Sequence, residues 1–166
     1  SPLVDEIIST KASSRTATLR ACGLTGLGRY LVVAMHPETL SAAPAGQTAA
    51  AVLRGAASAG LDLVMTYPGA EAGSGEVMAE LKSFAAKRGA RLLSSMPRAR
   101  FLDLLRHSEV LVGNSSAGIT DAPSLGLPAV NAGGRQDGMI KAANVIDCAA
   151  TASPSTCYAN GFMNYT

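Results

Sequence analysis

Tryptophan is missing from this 166-residue chain, and three phenylalanines and four tyrosines hold the aromatic share to 4%. A core of such composition has to be assembled from Ala, Val, Leu and Ile, and no run of basic residues interleaved with aromatics offers a surface for nucleic acid. An excess of one charge is missing too. Fourteen basic residues stand against twelve acidic ones, a formal net charge of +2, too small to argue for a nucleic-acid or membrane partner. No apolar run approaches the roughly 20 residues of a membrane-spanning helix. Histidine occurs twice, at His36 and His107, without the paired spacing of a metal site, so no metal and no cofactor is expected. Cys22, Cys148 and Cys157 are odd in number, far apart and without a Cys-x-x-Cys pair; they read as reduced, small apolar residues of a cytoplasmic protein. Asp5, Glu6 and Lys11 interrupt the opening residues, which therefore do not resemble a signal peptide. Without such a signal, the glycosylation triplets Asn114-Ser115-Ser116 and Asn164-Tyr165-Thr166 are chance matches. The first residue is Ser1 rather than methionine, as expected of a fragment.

What is present is apolar periodicity. With 48% hydrophobic residues, the length suits one domain with a core of useful size. Residues 1–28 read as a linker with a partial helix, because the glycines at 23, 26 and 28 neither follow a strand nor fit a dinucleotide fingerprint. From residue 29 to 150, short apolar runs alternate with helical patterns. Strands are expected at 31–35, 61–67, 91–94, 109–112, 127–131 and 144–147. Helices are expected at about 43–59, from Gly75 to the basic turn before Gly89, and at 98–107, with one helical turn at 139–143. Residues 151–166 form a tail without periodicity. Alternating buried strands and helices predict an α/β fold, a Rossmann-like parallel sheet with helices on both faces.

Ligands of such sheets bind at the carboxyl ends of the strands. His36-Pro37, the loop from Pro68 to Gly75, the stretch from Gly113 to Gly118 and the loop from Ala132 to Gly138 all fall there. In Val110-Leu111-Val112-Gly113-Asn114-Ser115-Ser116-Ala117-Gly118, a buried strand gives way to small and hydroxylated residues and a short helix. Ser115 and Ser116 stand where a helix start leaves N–H groups for phosphate, and Gly118 lets a ligand approach the main chain. Asp121 is placed to accept hydrogen bonds from ribose hydroxyls. The plainer alternative is a turn whose serines cap a helix. Arg135 lies in a glycine-rich loop from which a guanidinium can reach phosphate or carboxylate, and otherwise would be a solvated surface arginine. His36 ends a buried strand at the same edge, where a His-Pro turn also has a purely structural reading. His107, at a helix end, suits the dipole as a structural residue. A serine hydrolase is a poor fit, since both histidines precede the serines and the nucleophile-elbow glycine pattern is incomplete.

The set His36-Pro37, Thr66-Tyr67-Pro68, Val112-Gly113-Asn114-Ser115-Ser116-x-Gly118, Gly134-Arg135-Gln136-x-Gly138 and Asn144-Val145-Ile146-Asp147 resembles the UDP-N-acetylglucosamine 2-epimerase family, most closely its hydrolysing branch. The resemblance runs from about residue 29 to 148 and covers the second of two Rossmann-like domains in a GT-B-type arrangement. It implies UDP and a UDP-N-acetylhexosamine as ligands. Ser115 and Ser116 would hold the diphosphate, Asp121 would stand for a ribose-binding glutamate, and Arg135 and the catalytic His36 would approach the phosphates. It also implies elimination of UDP to a glycal and hydration to N-acetylmannosamine, as in sialic-acid synthesis. A missing N-terminal Rossmann-like domain would supply further carboxylates, and the full-length form would be a homodimer. The chain departs from the family pattern at Gly69-Ala70-Glu71, where Asn-x-Asp is usual, at Asp121, and at Met139, where an arginine is usual. A non-catalytic nucleotide-sugar-binding module and a fragment of a GT-B glycosyltransferase are the alternative readings.

Overall fold

The structure is a computed structural model and describes residue 7, residues 11–38 and residues 43–149. The tail of residues 151–166 lies outside the described residues. Chain order gives α1 (Arg15–Ala21), β1 (Tyr30–Ala34), α2 (Ala45–Ala57), β2 (Asp62–Thr66), α3 (Ser74–Arg88), β3 (Arg91–Leu93), α4 (Arg98–Arg106), β4 (Leu111–Gly113), α5 (Ala117–Thr120), a 3-10 turn (Pro123–Leu125), β5 (Ala129–Ala132) and β6 (Val145–Cys148). The six strands form one parallel sheet in the order β3-β2-β1-β4-β5-β6. This is the doubly wound arrangement, with its reversal point between β1 and β4.

Strand β1 shows why the sequence folds this way. All five of its residues are buried, and they alternate between two cores because successive side chains leave a strand on opposite faces. Leu31 and Val33 pack with α2 and α3 through Val52, Leu53, Val77 and Leu81. Tyr30, Val32 and Ala34 pack with Leu19 of α1, Leu104 and Leu105 of α4, and Ala117 of α5. The Tyr30 hydroxyl is carried into this second core and donates to the Leu104 carbonyl at 2.7 Å. Burial pushes its pKa upward, since an apolar site disfavours the phenolate.

The partial helix expected within residues 1–28 is α1, capped by Ser14, whose hydroxyl accepts from the Ala17 N–H. Two expectations are corrected. Residues 139–143 contain no helical turn; a bend at Met139 leads into residues without regular structure and a turn that begins at Ala143, with Ile140 95% exposed. An isolated turn there would have no apolar face to bury and too few residues to offset helix nucleation. Cys148, the last residue of β6, is disulfide-bonded, while Cys22 is a free thiol. Wide spacing along the sequence does not keep cysteines apart in a folded chain.

Candidate functional site at the carboxyl edge of the sheet

Ala34, Thr66, Gly113 and Asn131 lie in one row across β2, β1, β4 and β5. The chain leaves the sheet just beyond this row, so the four loops named from the sequence emerge side by side. Gly113 makes the centre possible. Its φ is +135°, and a Cβ there would come within 2.1 Å of the Ala34 carbonyl oxygen, so only glycine fits.

Asn114 follows, fully buried, and ties the two central loops together. Its Oδ1 accepts from the His36 N–H and its Nδ2 donates to the His36 carbonyl, both at 2.8 Å. This reciprocal pair fixes the backbone of His36 across the switch point. The Asn114 carbonyl in turn accepts from Gln136 Nε2 at 2.9 Å and from Arg135 Nη1 at 3.4 Å. Glu38 joins the third loop to these, its Oε1 accepting from the Arg135 N–H at 3.1 Å and from Asn114 Nδ2 at 3.5 Å.

The imidazole of His36 has a defined tautomer. Gly69 N–H approaches its Nδ1 at 3.3 Å. A backbone N–H can only donate, so Nδ1 is the acceptor and a neutral ring carries its proton on Nε2. Burial holds the pKa of His36 below the ordinary histidine value, and the Arg135 charge lowers it further, against an opposing pull from Glu71. His36 is therefore a neutral hydrogen-bond donor at neutral pH. Glu71, from the loop after β2, pairs with Arg135 at 3.3 Å and stands 3.9 Å from His36 Nδ1.

The structure brings His36, Ser115 and Arg135 together around Asn114, with exposed Ser116 next in the chain. Ser115 Oγ accepts from the Ala117 N–H at 3.3 Å. Ser116 is the N-cap of the four-residue α5, and its hydroxyl makes no capping bond. Gly118 and Asp121 lie inside. Gly118 packs α5 against Ala129 and Leu111. Asp121 is 2% exposed, and Arg98 donates to both of its oxygens, at 2.8 and 3.1 Å. That places its carboxylate on a guanidinium rather than at the open edge. His107 is a loop anchor, its Nε2 lying 2.8 Å from the Ser13 carbonyl. Among the described residues, no group of three or more His, Cys, Asp or Glu could hold a metal ion, and no helix is long and apolar enough to cross a membrane.

In the sequence, Asn114 and Gln136 stand inside the motifs quoted above without a task of their own, and Glu38 was passed over. The one available signal was position: Asn114 is the first polar residue after a central parallel strand, where an amide would be costly unless satisfied.

A doubly wound α/β domain with a histidine, an arginine and hydroxyl groups converging at its switch point belongs to a class that binds ligands at that edge. Comparison with known proteins narrows this. A family profile described as UDP-N-acetylglucosamine 2-epimerase matches residues 1–155, and the chain belongs to this family. It is 33% identical over 123 residues to the polysialic acid biosynthesis protein P7 of Escherichia coli, covering 73% of this chain and 32% of that protein. It is 27% identical over 146 residues to the UDP-N,N'-diacetylbacillosamine 2-epimerase (hydrolyzing) of Legionella pneumophila, covering 88% of this chain and 39% of the relative. The chain thus spans 32% to 39% of the length of these relatives. An S. aureus MnaA–UDP co-structure superposes with a TM-score of 0.68 at 12% identity, over 98% of this chain and 43% of that one, a likeness of fold.

Proposed function

We propose that this chain is the UDP-binding domain of a hydrolysing UDP-N-acetylglucosamine 2-epimerase. The observation that carries the reading is the convergence of Arg135, neutral His36 and the Asn114–Ser116 turn at the β1/β4 switch point. Arg135 supplies a fixed positive charge with several donors for a phosphate. His36 supplies one neutral donor through Nε2–H, suited to a phosphate oxygen of the departing UDP, where charge accumulates as the glycosidic C–O bond breaks. Ser115 and Ser116 offer hydroxyls beside them. The hydrolysing assignment draws on the similarity to the hydrolysing 2-epimerase of Legionella pneumophila. Carboxylates for proton transfer at the sugar come, in this reading, from a second Rossmann-like domain, and the full-length protein is a homodimer.

Calorimetric titration with UDP, with uridine as the control, tests the reading. Measurable UDP binding and much weaker uridine binding are expected, because the diphosphate carries the contacts. Equal affinities would remove the phosphate site. Arg135→Ala is expected to weaken UDP by about 1.5–3 kcal/mol, the worth of charged hydrogen bonds.

A further inference from the structure

The charged groups of the edge already have an occupant. Arg135, the cation proposed to hold a phosphate, meets the carboxylate of Glu71 at 3.3 Å, and the same Oε1 lies 3.9 Å from the ring of His36. A carboxylate oxygen thus holds the place on the Arg135 guanidinium that a phosphate oxygen would take, on the Nδ1 side of His36 rather than at its Nε2–H donor. We propose that Glu71 is an internal anion that occupies this place in the ligand-free protein and that the terminal phosphate of a nucleoside diphosphate displaces. The inference rests on the functional reading above and adds a competitor to it.

The contact is made to be exchanged. Strong guanidinium–carboxylate bonds are shorter, about 2.7–2.9 Å, and commonly bidentate, whereas this one is single and long. The Glu71 side chain is 42% exposed and that of Arg135 28%, so solvent weakens the attraction. Arg135 also touches the Asn114 carbonyl at 3.4 Å, and its backbone N–H is tied to Glu38. Loss of Glu71 therefore leaves the arginine tethered at the edge. Gly69 supplies an independent sign that the carboxylate has been given room. A Cβ at Gly69 would stand 3.3 Å from Glu71 Oε1 and 3.7 Å from His36 Nδ1, so a side chain at 69 crowds the position that Glu71 takes. No positive φ requires glycine at this point. The glycine instead leaves space next to the carboxylate.

Two substitutions open the contact by different routes. Glu71→Gln removes the charge while keeping the shape, and Gly69→Ala pushes the carboxylate aside while preserving the N–H that His36 Nδ1 accepts. Both are titrated calorimetrically with UDP, inorganic pyrophosphate and uridine, after circular dichroism has established that each folds. Glu71→Gln is expected to tighten UDP and pyrophosphate by about three- to tenfold, the combined effect of a lost surface ion pair and a lost like-charge repulsion. Gly69→Ala is expected to move both in the same direction by less, and uridine affinity should not move. Unchanged or weaker pyrophosphate and UDP binding in Glu71→Gln would overturn the proposal and make Glu71 a support for Arg135. Tighter pyrophosphate binding in the variant, with UDP no better than pyrophosphate, would uphold the internal anion and reject the uridine-nucleotide reading. The two ideas therefore fail separately.

Discussion

A single histidine illustrates how far one backbone donor can determine chemistry. Because Gly69 N–H points at Nδ1, His36 has one ring nitrogen committed to accepting, and protonating that nitrogen would set two donors against each other. Burial and Arg135 act in the same direction and hold its pKa below the usual histidine value. The unfolded chain consequently takes up this proton at a higher pH than the folded one. The contribution of His36 to stability is present above the unfolded pKa of about 6.5 and is lost as pH falls below it. Urea unfolding is expected to give a drop in stability between pH 7.5 and 5.5 that is smaller in His36→Gln; equal drops would detach the effect from this residue. Asp121 raises a different expectation. With its carboxylate 2% exposed and its oxygens on Arg98, Arg98→Met should destabilise the fold by about 3 kcal/mol, because a buried carboxylate loses its counter-charge. A change below about 0.5 kcal/mol in chemical denaturation would contradict that.

Among elements, β1 and β4 carry the argument. Their junction permits no Cβ at Gly113, where the Ala34 carbonyl lies 2.1 Å from the place it would occupy and φ is +135°. Gly113→Ala should cost about 3–5 kcal/mol through strain and clash together, read as a fall in thermal or urea midpoint. These elements were also the most legible part of the sequence. Leu31 to Ala34 could be read as a strand because four consecutive apolar residues must be covered on both faces. The helix ending at Gly89 could be read from Val77 and Leu81 on one side and a left-handed glycine after Arg88. Residues 139–143 misled because a short mixed run has no period to test. The site was legible as a location and only partly as a set of contacts. Strand ends predict where loops gather, but nothing in the spacing of Arg98 and Asp121, or of Glu71 and Arg135, says that those charges meet. Such pairings depend on how separate loops pack, and single polar residues in loops leave no periodic trace.

At the scale of the whole molecule, the open edge defines what this chain can do. Its donors face outward from one sheet, and the chain spans 32% to 39% of the relatives' length. Under the proposed function, full epimerisation is expected only from a form that also carries the second domain. Incubation with UDP-N-acetylglucosamine and chromatography of the products should, on that proposal, give N-acetylmannosamine and UDP from such a two-domain form and no turnover from residues 1–166 alone. A disaccharide or other transfer product would instead favour the glycosyltransferase alternative. The amide bridge between Asn114 and His36 has a further consequence, in the order of folding. It joins residues 78 positions apart, across the seam where one half of the sheet meets the other. Contacts of such long range form after local ones, because closing the intervening loop costs chain entropy before any bond repays it. The candidate site is thus expected to assemble late on the folding route. Partly folded forms with intact helices would lack it, and slow hydrogen exchange at the His36 amide would report that the two halves of the sheet have joined.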